Sequence, residues 1–189
     1  MKKLFLTLAV AFASLAANAQ LYVGGEVGAW RNSDANHTTF DLKPEIGYQL
    51  NDKWDLGIGI GFSHDYKGKD DGKLNVKTNS FYLDPYARWS FVQFGPVRMF
   101  LDITAGVGTS NRKYKVGDET ISDDADVAWR IGVEPGVAVG LCKNLDFIAH
   151  VGFLGYTDAD NQARSPYGEK GFGFKLSSNN LKIGFVYKF

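Results

Sequence analysis

Strict two-residue alternation of apolar and polar side chains recurs along almost the whole chain and runs to its last residue. In the closing "LKIGFVYKF", Leu181, Ile183, Phe185, Tyr187 and Phe189 take every second position, with Lys182, Gly184 and Lys188 between them. A chain end is normally polar and frayed unless something ties it down, so this apolar, aromatic strand needs a partner. The same pattern sets Phe40, Leu42, Pro44, Ile46 and Tyr48 against Asp41, Lys43, Glu45 and Gly47, and Trp54, Leu56, Ile58, Ile60 and Phe62 against Asp55, Gly57, Gly59 and Gly61. It returns in "FYLDPYARWSF", "VRMFLDITAGV", "WRIGVEPGVAVGL" and "LDFIAHVGF", the last running from Leu145 to Phe153. With "LYVGGEVGAW" and the terminal segment, this predicts eight strands.

The links between segments alternate too. Tight turns are expected around Asn51 and Asp52, from Gln93 to Pro96 and from Cys142 to Asn144. Long polar loops are expected over 31–39, 66–79, 110–127 and 157–172. Short turns at one end and long loops at the other are the up-and-down pattern of a transmembrane barrel. An even strand number puts both termini at the short-turn end.

The amino terminus supplies the compartment. "MKKLFLTLAVAFASLAANAQ" has two lysines, a short apolar run and the small-x-small stretch Ala17-Asn18-Ala19. This reads as a secretory signal over 1–19, too short to span a bilayer, followed by a mature barrel over 20–189. Removing Lys2 and Lys3 from the 21 basic residues leaves 19 against 21 acidic ones, a net charge of about −2. That balance gives nucleic acid no purchase. The single Cys142 rules out an intrachain disulfide.

Which parity meets hydrocarbon follows from the glycines. The polar parity mixes long charged side chains with Gly24, Gly28, Gly47, Gly57, Gly59, Gly61, Gly106, Gly132, Gly136, Gly140, Gly152 and Gly184. On the surface of a soluble sheet such glycines would weaken every strand. Inside a narrow eight-stranded barrel, small and large residues together fill the space. The apolar parity therefore faces lipid. Girdle aromatics are expected at Tyr48, Trp54, Trp89, Phe91, Tyr187 and Phe189 on the short-turn side, and at Phe40, Phe62, Phe81, Trp129 and Phe153 on the other. Pro44, Pro85 and Pro135 recur at matching positions in alternate strands and donate no ladder hydrogen bond, so irregular pairing is expected there.

The ending formed by Lys182, Gly184, Tyr187 and Phe189 resembles the assembly signal read by the outer-membrane insertion machinery. With the strand pattern, the mature chain resembles the small outer-membrane β-barrels of the OmpA-barrel and OmpX type, in the variety common in Bacteroidota. The resemblance implies an all-β, eight-stranded antiparallel up-and-down transmembrane barrel in the outer membrane of a Gram-negative bacterium. It implies contact with outer-membrane lipid including lipopolysaccharide, engagement of the assembly machinery through the terminal strand, and room for an extracellular ligand on the loops. No peptidoglycan-binding tail of the OmpA kind is expected after Phe189.

Chemistry-bearing motifs are few. "LGIGIGF" has strand periodicity, and no helix follows it to cradle a phosphate. Asp158, Asp160, Gln162 and Glu169 fall at calcium-loop spacings, but Ala163 replaces the turn glycine and Arg164 opposes a cation. Asp118, Glu119, Asp123, Asp124 and Asp126 read as solvated loop. Ser63, His64 and Asp65 are adjacent, so they point to alternate faces, and neither an enzyme nor a cofactor is expected. What remains is a lumen charge network of Glu26, Lys43, Glu45, Asp84, Arg88, Asp102, Arg130, Glu134, His150 and Lys182. Counting from the tight turns sets Glu45 opposite Gly59, Arg88 diagonal to Asp102 and Glu134 diagonal to His150, with Glu26 in reach of Lys182 or Lys43. Such a set predicts a salt-bridged plug. The function expected is membrane integrity or surface interaction and adhesion through the loops. The alternative is a narrow channel or a hydrophobic-ligand conduit.

Overall fold

The computed structural model describes residues 20–34, 36–68, 74–116, 119–122, 125–160, 166–167, 170–175 and 181–189. The signal segment 1–19 lies outside the described residues. Eleven strands form one antiparallel sheet: β1 (Gln20–Asn32), β2 (His37–Gln49), β3 (Trp54–Gly68), β4 (Leu74–Phe94), β5 (Val97–Val116), β6 (Glu119–Ser122), β7 (Asp126–Cys142), β8 (Leu145–His150), β9 (Phe153–Ala159), β10 (Gly171–Lys175) and β11 (Lys182–Lys188). Successive neighbours pair, β5 pairs with β7 past the short β6, and β11 returns to β1, with Tyr22 opposite Lys188 and Val27 opposite Ile183. Strands β8 and β9 are two parts of one wall strand, as are β10 and β11, so the wall is a closed eight-strand barrel. Closure explains the apolar carboxy terminus. The last strand has a neighbour on each side, and Phe189 N–H donates to the Leu21 carbonyl at 3.0 Å.

The tight turns have local causes. Asn51 Oδ1 accepts from the backbone N–H groups of Lys53 and Trp54, folding the β2–β3 link. Gly95 takes φ 57° between β4 and β5, a left-handed conformation open to glycine. The outer hairpins run longer than their composition suggests. β3, β4 and β5 carry regular pairing to Gly68, Leu74 and Val116, deep into the segments expected as loops 66–79 and 110–127. Above the membrane the outward face no longer has to be apolar, so alternation fades from the sequence while the backbone ladder continues.

The apolar parity faces outward. Tyr48, Trp54, Trp89, Phe91, Tyr187 and Phe189 are exposed towards the short-turn end, and Phe40, Phe62, Phe81 and Trp129 towards the other. Phe153 departs from expectation and is only 7% exposed. Val151 and Gly152 interrupt the wall strand, Gly152 takes φ 146°, and the partner register moves from Gly136–His150 to Val133–Leu154. The extra residue swaps the faces, sending Phe153 inward and Leu154 to lipid.

At each repeated proline the ladder is regular on one side and broken on the other. Gly25–Pro44, Ile58–Pro85 and Leu101–Pro135 are normal pairs. Opposite, β2–β3 pairing skips from Leu42 to Glu45, β4–β5 pairing skips from Leu83 to Tyr86, and the Pro135 site faces the Val151–Gly152 bulge. The missing N–H points to the broken side in each case. Thr104 Oγ1 donates to the Pro85 carbonyl at 3.3 Å and Val151 N–H to that of Pro135 at 3.0 Å. Two register shifts the sequence does not announce lie nearer the short turns, between Ser90 and Val92 and between Gly140 and Cys142.

Candidate functional site

The inward parity fills the barrel in layers. Nearest the short turns, Arg98 reaches Asp146 at 3.2 Å and Asp55 at 3.9 Å, and Lys188 reaches Asp146 at 2.8 Å. Above them sits an apolar and aromatic layer of Tyr22, Tyr86, Phe100, Ala138, Ile148 and Val186. Glycines on neighbouring strands make room for it. A Cβ on Gly57 would meet the Tyr86 ring at 2.5 Å, and one on Gly47 or Gly136 would run into the rings of Tyr22 or Phe100. The Tyr22 and Tyr86 hydroxyls are 2.8 Å apart, and Tyr86 donates to Glu45 Oε2 at 2.7 Å, which ties these rings to the neighbouring charges.

The central layer is a continuous ion-pair network. Arg88 donates from Nε and Nη2 to the two oxygens of Asp102 at 2.8 and 2.9 Å, and its Nη2 lies 3.5 Å from Glu45. His150 directs Nδ1 at Glu26 and Nε2 at Asp102, the latter at 2.9 Å. Carboxylates only accept hydrogen bonds, so both ring nitrogens donate and the ring sits as an imidazolium between two anions. Lys43 reaches Glu26 at 3.1 Å. One layer further out, Arg130 bridges Asp84 at 2.6 Å and Glu134 at 2.8 Å, with Phe153 and Tyr167 stacked against its guanidinium. Lys182 pairs with Asp41 at 3.3 Å, and Tyr82 donates to the same carboxylate. Each of these charges thus has an opposite one within 4 Å, as burial requires, while Glu26 Oε2, Glu45 Oε1 and Asp55 Oδ1 accept no hydrogen bond.

All the lumen residues named from the sequence face the interior, and all but the half-buried Lys182 are buried. Their pairing differs in detail. Glu45 stands opposite Gly59 and Glu134 diagonal to His150. Arg88 is directly opposite Asp102 rather than diagonal, because the Ser90/Val92 irregularity shifts the count from the turn by one. Glu26 takes Lys43, while Lys182 goes to Asp41. Sequence reasoning left Asp41, Asp55, Arg98, Asp146, Lys188 and the inward tyrosines out of the network. Their parity was the available signal.

Above the network lies a cavity of ≈ 640 Å³ that opens outward. Its floor is Glu134, His150, Arg130 and Lys182, and its walls include Trp30, Thr78 and Tyr167. Tyr167, from the link after β9, reaches into it and donates to Asp84 Oδ1 at 3.0 Å.

The other motifs do not converge. His64 bonds Asn79 on the outward face, whereas Asp65 turns inward to His37 at 2.7 Å, so Ser63, His64 and Asp65 form no triad. Asp158 pairs with Lys170 at 3.0 Å, while Gln162, Ala163, Arg164 and Glu169 lie outside the described residues, as do Asp118, Asp123 and Asp124. No cluster of three or more His, Cys, Asp or Glu able to hold a metal occurs among the described residues. At the seam, Gly184 packs against the Gly25 carbonyl, and the Tyr187 ring lies 5.2 Å from that of Phe189.

A closed antiparallel barrel with an apolar, aromatic-banded exterior and a charged, filled interior is an outer-membrane β-barrel. The chain belongs to the outer membrane protein beta-barrel domain family, whose model matches residues 4–189. Among solved structures, it is similar to a major outer membrane protein of Thermus thermophilus, with 15% identity, a TM-score of 0.51, and 90% of this chain and 99% of that one covered. It is also similar to Neisserial surface protein A, with 17% identity, a TM-score of 0.47, and 90% and 97% covered. The N-terminal β-barrel domain of Pseudomonas aeruginosa OprF has 17% identity, a TM-score of 0.46, and 91% and 98% covered. No curated protein sequence matches the chain. The protein is therefore a barrel of the outer membrane.

Proposed function

We propose that this protein is a non-enzymatic barrel that works at its outer end, anchoring surface loops for membrane integrity or for adhesion and other surface contacts. The observation that carries this reading is the filled lumen. The outer cavity stops at Glu134 and His150, and beneath it Arg88, Asp102 and Glu45 lie directly on Tyr22, Tyr86 and Phe100. An eight-stranded wall leaves space for side chains and little else. The divergence of Ser63, His64 and Asp65 supports a role without catalysis. Expected partners are lipopolysaccharide and other outer-membrane lipid around the girdles, the assembly machinery at β11, and an extracellular ligand at the outer hairpins.

A knockout compared with a strain carrying loop-shortened protein tests the reading. Loss of detergent resistance or surface adhesion in both supports it. Steady conductance of planar bilayers holding purified protein, above detergent controls and altered by substitution of Arg88 or Glu134, would favour the narrow channel or hydrophobic-ligand conduit instead.

A further inference from the structure

The outer cavity has two unlike walls. Across β2, β3, β4 and β5 the inward side chains form two successive rungs, Asp41–Ser63–Ser80–Ser110 and, one step further out, Thr39–Asp65–Thr78–Arg112. All eight are polar, and all but Ser110 line the cavity. The rings come from elsewhere: Trp30 on β1, Phe153 on β9, and Tyr167. Arg130 covers Phe153 and Tyr167. Trp30 keeps the lumen parity of Glu26 and Gly28, yet it is 45% exposed, and no ring or cation lies over it among the described residues.

Several polar groups of the cavity have no partner in the wall. Thr39 and Ser63 are half-buried, and neither hydroxyl has a hydrogen-bond partner among the described residues. The carboxylates that line the cavity are each engaged: Asp41 by Lys182, Glu134 by Arg130 and Asp65 by His37. Lys67 and Lys175 line it too, and neither has a carboxylate in ion-pair reach among the described residues. Lys175 gives one ammonium N–H to the Tyr167 carbonyl at 3.1 Å and keeps the others. These features select a ligand. At ≈ 640 Å³ the cavity lies within the about 300–1,000 Å³ usual for small-molecule sites. A lipid tail would set the polar rungs against hydrocarbon and leave their hydrogen bonds unmade. A pyranose suits both walls: the C–H bonds of one face lie on the negative face of the indole, while its hydroxyls donate and accept along the rungs. The unmatched lysines call for a carboxylate on that sugar. Because Glu134 and His150 close the cavity below, such a ligand enters only from outside the cell.

We propose that the outer cavity binds an acidic saccharide of the uronic-acid type from the cell's surroundings, with one ring on Trp30, hydroxyls at Thr39 and Ser63, and carboxylates drawn to Lys67 and Lys175. The inference rests on the reading that the protein works at its outer end.

The test is titration calorimetry on the purified barrel in detergent, with its heat-dependent gel mobility as the folding control and digalacturonic acid and neutral digalactose as the probes. The parent is expected to bind the acid at least about 10-fold more tightly, the effect of one hydrogen bond to a charged group. Lys67→Gln combined with Lys175→Gln should remove that preference and leave binding of the neutral sugar unchanged. Trp30→Ala is expected to weaken both sugars by about 2–10-fold, as loss of a ring contact does. Acetate at the same concentration should not compete. Absence of digalacturonic acid binding would overturn the proposal, as would equal binding of the two sugars by the parent, unchanged affinity in the Trp30 variant, or full competition by acetate. Full competition by the delipidated sugar chain of the cell's own lipopolysaccharide would overturn the external source. If a variant does not fold, the comparison of acid, neutral sugar and acetate on the parent decides alone. Loss of adhesion on loop shortening, together with no sugar binding, overturns this inference and leaves the outer-end reading standing.

Discussion

Arg88 is the side chain on which the central network turns, and Arg88→Met isolates its charge while keeping much of its apolar bulk. The residue is 1% exposed, holds Asp102 with two hydrogen bonds, lies 3.5 Å from Glu45, and rests its guanidinium 4.4 Å from the Phe100 ring centroid. The methionine can occupy the aromatic contacts but can satisfy neither carboxylate. Breaking a buried pair by removing one partner costs about 3–5 kcal/mol, because the remaining charge stays desolvated. His150 still donates to Asp102, and Tyr86 to Glu45, which places the expected loss near the lower end, at about 3 kcal/mol. Adding Asp102→Leu removes the stranded anion while His150 keeps Glu26, so the double variant is expected to recover at least ~2 kcal/mol relative to the sum of the two single losses. Urea unfolding of the refolded barrel in detergent, followed by tryptophan fluorescence, gives all four corners of the cycle. A loss below ~1 kcal/mol for Arg88→Met, or strict additivity in the double variant, would refute the network as a coupled, dry unit and imply that water reaches it.

The same assay checks three further expectations. Gly61→Ala puts a Cβ into the Tyr82 ring and should cost about 1–3 kcal/mol, with partial recovery when Tyr82→Leu is added. Phe185→Lys places a charge on the lipid face of β11, where Phe185 is 52% exposed, and should cost about 2–4 kcal/mol, against about 0–1 for Phe189→Lys near the interface. Thr104→Val removes the hydroxyl that serves the Pro85 carbonyl and should cost about 1 kcal/mol.

Parity was legible because in a barrel wall it is a boundary condition: every second side chain meets hydrocarbon, and the sequence must show it. Glu26, Arg88 and His150 could therefore be placed inside from spacing alone. Their partners were harder to read, for two physical reasons. Register counted outward from a tight turn holds only while no residue is inserted, and the irregularity between Ser90 and Val92 moves Arg88 from diagonal to opposite Asp102. The bulge at Val151 and Gly152 likewise turns Phe153 from an expected girdle residue into a lumen ring against Arg130. Other contacts cross the interior between strands that never pair. Arg130 on β7 meets Asp84 on β4, and Lys182 on β11 meets Asp41 on β2, so no adjacency rule along the wall reaches them. The long outer hairpins were hidden because polar residues on a paired strand in water look like those of a loop.

The glycines and the aromatic rings of the lumen are two halves of one packing solution. Tyr22 fills the space left by Gly47, Tyr86 that left by Gly57, Phe100 that left by Gly136, and Phe153 that shared by Gly132 and Gly155. A ring attached to one strand spans towards its neighbour only if that neighbour carries no side chain at the contact, so Gly47, Gly57 and Gly136 each mark where a ring from the adjacent strand arrives. The glycine-rich parity thus reports a lumen filled from wall to wall rather than an empty pore. Ion pairs and rings interleave there, Arg88 reaching Asp102 and Glu45 while its guanidinium lies against the Tyr86 and Phe100 rings. Removing the Arg88 charge alone therefore leaves the Tyr22, Tyr86 and Phe100 rings, each seated against its glycine, still filling the same stretch of the lumen.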